Sequence, residues 1–200
     1  PSYQFIKALL NHEKGLHIDN DHFMIISPDE GSMNRAIYLA NVLGVDMGMY
    51  YKRLDYSRYV NGRHPIAAYE FLGPKIEGKD MILIDDMISS GDTIIKIASL
   101  LKEKGAGRVY ICSTFGFFTD GLDKFDDAYK KGYFDKLLTT NLVYQSPELL
   151  EKPYYISCDM SKYIALIIDT LNHDTSVSHL LNPVDRIKRC VTNYMSQHEK

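Results

Sequence analysis

Cysteine is scarce in this 200-residue chain: Cys112, Cys158 and Cys190 are far apart and odd in number. That spacing supplies neither the paired thiols of a zinc site nor a framework of disulfides, so a reducing, cytoplasmic location is expected. No apolar run approaches the ~20 residues that a membrane helix needs, and the first residues lack the basic, apolar, small-residue order of a signal peptide. No membrane partner is expected. An excess of one charge is also missing, since 23 Lys and Arg against 26 Asp and Glu leave a formal net charge of −3. That balance is too near neutral to point to a nucleic-acid partner. The first residue is Pro1 rather than Met, which fits either processing or a piece of something longer.

What is present is enough apolar content, 45% of residues, to bury the core of one α/β domain. The pattern centres on residues 81–93, Met-Ile-Leu-Ile-Asp-Asp-Met-Ile-Ser-Ser-Gly-Asp-Thr. Apolar residues 81–84 suit a buried strand. They run into Asp85 and Asp86, then a small-residue turn, then the helical pattern of residues 94–104. At the carboxyl end of a parallel strand, two acids lie where open α/β sheets bind ligands, able to accept hydrogen bonds from vicinal hydroxyls or to hold a hydrated cation. Ser89, Ser90 and Gly91 let backbone N–H groups come close to a phosphate, hydroxyls add donors, and the helix start offers its positive end. A phosphosugar, with its hydroxyls on the acids and its phosphate on the turn, is the expected ligand. The same letters also describe an ordinary strand-to-helix turn capped by Thr93. Paired acids beside a buried strand need a compensating partner, which favours the ligand.

Residues 85–93 resemble the phosphoribosyl-binding loop of type I phosphoribosyltransferases and of ribose-phosphate pyrophosphokinases, a motif that alone does not separate the two groups.

Along the chain, residues 3–10 read as an amphipathic helix, and the polar stretch beyond carries His12, His17 and His22. Five-residue spacing does not put three imidazoles on one helix face, and Gly15 interrupts the segment, so solvated loop histidines are expected in preference to a metal site. Residues 23–26 form the next strand candidate. They end in Ser27-Pro28-Asp29-Glu30-Gly31-Ser32 and the helical residues 33–43. Carboxylates and small residues again separate a strand from a helix start, giving a second ligand loop at the same edge or, more simply, a Pro-initiated turn with a helix cap.

Residues 45–51 are a further strand candidate, followed by Lys52, Arg53, Arg58, Arg63 and His64 interleaved with Tyr56, Tyr59 and Tyr69. No period of 2 or 3.6 runs through the segment, which reads as a long mobile loop or a hairpin extension. Cations on such a flap can close over transferring phosphates; a solvated or subunit-contacting flap is the plainer role. Residues 108–112 begin another strand, with Cys112 as a core thiol. Residues 114–121 form a loop in which Asp120 and Gly121 are candidates to contact phosphate or metal. Residues 136–141 and 154–157 are strand candidates, and residues 161–172 an apolar helix.

The resemblance covers residues 1–181 and tightens on the pyrophosphokinases. Ser27-Pro28-Asp29, then Gly31 and Arg35-Ala36, is similar to the motif whose Asp contacts divalent metal and ribose phosphate in that family. Lys52 matches the catalytic-loop Lys. Thr139-Thr140-Asn141 and Asn172-His173-Asp174-Thr175-Ser176-Val177-Ser178 stand where that family has a Val-Thr-Asn-Thr-like strand and its closing segment. The whole looks like the C-terminal half of a ribose-phosphate pyrophosphokinase.

That resemblance implies an α/β fold, a mostly parallel sheet flanked by helices, with a basic flap after the third strand. It implies a single domain, residues 1–200, from a two-domain, homo-oligomeric enzyme. Pyrophosphate would pass from ATP, with Mg2+, to the anomeric hydroxyl of ribose 5-phosphate, giving phosphoribosyl pyrophosphate and AMP. Asp85 and Asp86 would orient the ribose hydroxyls and magnesium, Ser89, Ser90, Gly91, Asp92 and Thr93 would cradle the 5-phosphate, Asp29 would bind metal, and Lys52 with Arg53 would stabilise the transferring group. Three positions depart from the family pattern. Ser89 replaces an acid, Asp92 replaces a Gly beside the phosphate, and Leu54 stands where an Arg is expected, with Arg53 adjacent and Arg58 or Arg63 as substitutes. Two other readings stay open: a phosphoribosyltransferase consuming phosphoribosyl pyrophosphate, for which only residues 50–69 offer a hood over a base, and a catalytically degenerate subunit regulating an active homologue.

Overall fold

The computed structural model describes residues 1–59, 62 and 64–198; Arg63, one of the candidate cations, lies outside them. The chain runs α1 (Ser2–His12), β1 (Phe23–Ser27), α2 (Met33–Leu43), β2 (Asp46–Leu54), β3 (Ile66–Leu72), β4 (Asp80–Ile88), α3 (Asp92–Glu103) and β5 (Val109–Gly116). It continues through α4 (Asp123–Lys130), β6 (Lys136–Thr140), α5 (Pro147–Leu150), β7 (Tyr155–Cys158), α6 (Ser161–Asn172), α7 (Ser178–Leu181) and α8 (Val184–His198). The strands form one sheet in the order β3-β2-β1-β4-β5-β6-β7. All neighbours pair parallel except β2 and β3. The expected mostly parallel α/β sheet is therefore present.

Strands covered on both faces must be apolar on both, and the central ones are continuous apolar runs for that reason. Along β4, Ile82 and Ile84 join one core with Phe5, Ile25, Leu39, Tyr110 and Ile187, between the sheet and α1, α2 and α8. The alternate residues Met81 and Leu83 join the other, with Ile97, Ile111, Phe125 and Phe134, beneath α3 and α4. Cys112 is fully buried in the first core, as expected of a structural thiol.

Two boundaries differ from the sequence reading in ways that matter. Strand β4 does not stop before the acids: it continues through Asp85 and Asp86 to Ile88, because β5 also runs on to Gly116 and pairs Asp85 with Ser113 and Met87 with Phe115. Residues 114–116, read as loop, are that partner. The basic segment is a hairpin, with Lys52 and Arg53 inside β2 and β3 returning antiparallel to it. Its strand is second in chain order, not third. A register shift at Arg53/Leu54 explains why no period of 2 ran through it.

At the opposite edge of the sheet, Asp80 fastens the start of β4 to β5. Its Oδ1 accepts the Arg108 backbone N–H at 2.8 Å, and its Oδ2 accepts Arg108 Nη2 at 2.6 Å and Nε at 3.0 Å. The same guanidinium donates to the carbonyls of Lys14 and Gly15, closing the connection after α1. Asp80 is 14% exposed, so removing it leaves the Arg108 amide without its acceptor and the part-buried guanidinium with only the more distant Glu13 carboxylate, 3.8 Å away, and two carbonyls. Asp80→Ala is expected to lower unfolding free energy by about 2 to 3 kcal/mol in a urea titration; a change under about 0.5 kcal/mol would show that water replaces the network freely.

Candidate functional site

The strand order places a ligand crevice by itself. From β1 the chain moves to β2 on one side, and from β4 to β5 on the other, so the loops leaving the carboxyl ends of β1 and β4 part and leave a cleft between them. That cleft has a volume of about 310 Å³ and is lined by Asp29, Gly31 and Ser32 from the first loop and by residues 85–94 from β4, its loop and the start of α3. The two stretches singled out as ligand loops thus face each other.

On the acid side, Asp85 is half-buried, and its Oδ1 accepts the Ser32 hydroxyl at 2.6 Å and the Asp86 backbone N–H at 2.8 Å. Burial pushes the Asp85 carboxyl above its ordinary value, the Ser32 and Asp86 amide hydrogen bonds oppose this, and the Asp86 side chain and Asp29 charge add to it. Asp29 Oδ1 accepts from the amides of Gly31 and Ser32 at 3.1 and 3.3 Å, while its Oδ2 lies 3.5 Å from Lys52 Nζ. A chain of contacts therefore runs Lys52, Asp29, Ser32, Asp85, joining β2, the loop after β1, and β4. Asp86 is exposed and keeps its Oδ1 on the Met87 amide at 2.8 Å. Among the described residues no group of three His, Cys, Asp or Glu is arranged to hold a metal ion. Two adjacent carboxylates still fit magnesium, which favours hard oxygen donors and completes its shell with water and substrate oxygens.

At the other end of the cleft, the Ser90 hydroxyl accepts the Asp92 amide at 3.4 Å, while Gly91 is the N-cap of α3 with φ +83° and has no side chain to cap with. A Cβ at this position would sit 2.4 Å from the Phe125 ring. Glycine is thus required twice, by the left-handed backbone and by the ring beneath it. Thr93 is not the cap; Gly91 takes that place. The positive end of α3 faces the cleft, an arrangement that suits anions. Ser89 Oγ lies 3.3 Å from Thr119 Oγ1. Asp92 is held on both oxygens, by Lys124 Nζ at 2.8 Å and by the Ser90 hydroxyl at 2.9 Å.

Not every candidate is brought together. Neither Lys52 nor Arg53 lines the cleft: Lys52 reaches its edge through Asp29, and Arg53, next to it and so on the other face of β2, pairs with Glu70 on β3 at 2.7 Å. Asp120 and Gly121 are also outside the lining, although Asp120 shares Lys124 with Asp92. Arg58 lies in the hairpin connection, its carbonyl 2.8 Å from His64 Nδ1. His12 and His17 are exposed, and His22 pairs with Asp19. Sequence reasoning gave Ser32 no role of its own and missed Lys124. The Asp120 to Lys124 spacing of four was a signal for one ion pair, but the contact with Asp92 spans 32 residues and had none.

Residues 4–152 match the family model described as "Phosphoribosyl transferase domain". Among curated proteins, the chain is 29% identical over 163 residues to the ribose-phosphate pyrophosphokinase of Vibrio parahaemolyticus, covering 81% of this chain and 49% of that protein. It is 33% identical over 144 residues to ribose-phosphate pyrophosphokinase 5 of Schizosaccharomyces pombe, covering 71% and 39%. The chain thus spans about half the length, or less, of these relatives. Among solved structures, the phosphoribosylpyrophosphate synthetase from Mycobacterium smegmatis aligns with a TM-score of 0.67 at 21% identity, over 86% of this chain and 51% of that one, a likeness of fold.

The raised Asp85 pKa has a signed consequence for stability. A folded-state value above the unfolded one favours the protonated form, so the contribution is fully present below the unfolded value and is lost as pH rises through the folded one. Asp85→Asn, which keeps an oxygen for Ser32 and the Asp86 amide, is expected to raise the thermal midpoint at pH 7 but not below pH 3.8, the ordinary value. A lowered midpoint at pH 7 would mean that ionised Asp85 is well compensated.

Proposed function

The chain belongs to the phosphoribosyl transferase domain family, and from that premise we propose that it is the ribose-5-phosphate-binding half of a ribose-phosphate pyrophosphokinase. The observation that carries the reading is one cleft lined by the adjacent carboxylates Asp85 and Asp86 at one end and by Ser89, Ser90, Gly91 and the start of α3 at the other. A phosphosugar offers hydroxyls to the first and a phosphate to the second. The relatives named as pyrophosphokinases support this substrate over one without a phosphate.

In the proposed reaction the anomeric oxygen of ribose 5-phosphate bonds to the β-phosphorus of ATP as the bond from that phosphorus to the oxygen bridging the α-phosphate breaks. Phosphoribosyl pyrophosphate and AMP result. Asp85 and Asp86 accept hydrogen bonds from the ribose hydroxyls, and the loop and helix amides of residues 89–93, with the Ser and Thr hydroxyls, hold the 5-phosphate. Lys52, restrained by Asp29 in the free protein, offers its ammonium to the transferring group. Magnesium, held by Asp85 and Asp86 with the substrate's own oxygens and joined by Asp29 once Lys52 releases it, would neutralise phosphate charge. Arg53 would have to leave Glu70 to take part.

A second domain, for which the greater length of the relatives leaves room, would supply the remainder of the nucleotide site. An apolar face on α6 suits such a neighbour: Ile164, Ile168 and Leu171 are exposed at 38, 54 and 58%. Cytoplasmic location and homo-oligomeric assembly belong to the same proposal. No described helix is long and apolar enough to cross a membrane.

Calorimetric titration with ribose 5-phosphate tests the binding half of the proposal. The wild type is expected to bind, and the Asp85→Ala, Asp86→Ala double variant to bind at least about tenfold more weakly, a difference of about 1.4 kcal/mol. Equal affinities would refute the ribose-holding role. In the protein carrying both halves, label from [β-32P]ATP is expected in phosphoribosyl pyrophosphate; binding without turnover there would favour a degenerate regulatory subunit.

A further inference from the structure

Asp92 poses an electrostatic problem. It is the first residue of α3 and part of the cleft wall, where a carboxylate suits the helix dipole but opposes a phosphate within ~6 Å. The structure answers it with a cation from another element. Lys124, in the first turn of α4, places Nζ 2.8 Å from Asp92 Oδ1 and 2.9 Å from Asp120 Oδ2. The second Asp92 oxygen accepts the Ser90 hydroxyl. Beyond Asp120 the contacts continue, because Thr119 Oγ1 donates to Asp120 Oδ1 at 3.3 Å and lies 3.3 Å from Ser89 Oγ. The network therefore leaves the phosphate loop at Ser89, passes through the connection between β5 and α4, and re-enters at Ser90 and Asp92.

We infer that Lys124 is a positioning residue for the phosphate subsite: its ion pair turns the Asp92 carboxylate toward α4 and neutralises it, so that the 5-phosphate can occupy the helix start. The inference rests on the phosphosugar reading of the cleft. Two acids and one lysine leave this cluster one negative charge; without the lysine it carries two, beside a dianionic ligand. Stability is not the reason for the pair. Lys124 and Asp92 are 42 and 67% exposed, and ion pairs that open to water contribute little to folding. Both groups are nonetheless charged at neutral pH, since hydrogen bonding to Lys124 first and Ser90 second holds the Asp92 carboxyl below its usual value, and hydrogen bonding to Asp92 and Asp120 raises the Lys124 ammonium. What such a pair can alter is the local field felt by an anion.

Four proteins decide the matter: the wild type, Lys124→Met, Asp92→Asn and the double variant, each titrated calorimetrically with ribose 5-phosphate, inorganic phosphate and ribose. Lys124→Met is expected to weaken both phosphate-bearing ligands roughly five- to tenfold, to leave ribose unaffected and to move the thermal midpoint by less than about 2 °C. Adding Asp92→Asn to it is expected to recover most of the lost affinity, and Lys124→Arg to retain it. Unchanged affinity in Lys124→Met, or a loss that Asp92→Asn does not recover, would overturn the inference. Should the wild type bind inorganic phosphate but not ribose 5-phosphate, the phosphosugar reading fails while the phosphate series still judges Lys124. If it binds neither, both fall.

Discussion

Three carboxylates, Asp29, Asp85 and Asp86, stand together at the carboxyl edge of β1 and β4, and the compensation of their charge governs the rest of the site. Each solves part of the problem differently. Asp29 turns into its own loop, taking two backbone amides and the Lys52 ammonium. Asp85, the half-buried one, relies on the Ser32 hydroxyl and a neighbouring amide, and burial still raises its pKa. Asp86 stays in water. An edge so arranged leaves Asp86 in water and Asp85 with a raised pKa, the two acids proposed to take the ribose hydroxyls.

The end proposed to hold phosphate is built on the opposite need. A proposed anion there calls for backbone amides at a helix start, and Gly91 supplies the turn, its positive φ leading the chain into α3 and its missing Cβ admitting Phe125 beneath the loop. An acid in that first turn would spoil the site if left alone, and Lys124 reaches across from α4 to hold it. Strand pairing thus brings the two ends into one cleft, while side chains from the outlying elements β2 and α4 set the charge at each end. Lys52 and Lys124, distant in sequence from the motif, touch the cleft only through the acids they pair with, Asp29 and Asp92.

Much of this was legible in the residues, and the parts that were not have specific physical causes. The helix over residues 33–43 and the apolar strands were readable because period and length agree with burial on known faces. The facing of the two loops was readable because both end apolar strands that parallel pairing carries to one edge. That Asp85 and Asp86 lie within β4 was not, because the extension depends on residues 113–116 of β5 offering a ladder. Thr93 looked like a cap because Ser, Thr and Asp favour such positions, whereas the left-handed Gly91 takes that place. The divergence of Lys52 and Arg53 to opposite faces was hidden because the strand candidate ended at residue 51, whereas pairing with β3 carries β2 through both residues. Lys124 carried a local mark for Asp120 alone, since its other partner, Asp92, lies on another helix.

If one cleft holds both ends of a phosphosugar, a single titration must disturb both loops together. Amide 15N–1H spectra of the chain titrated with ribose 5-phosphate measure this directly. The expected result is saturable shifts at residues 89–93 and at Asp85 and Asp86 with a common midpoint, and little change along α1 and α6. Shifts confined to one end of the cleft, or centred elsewhere on the molecule, would contradict a site in which the acid edge and the helix start bind one ligand.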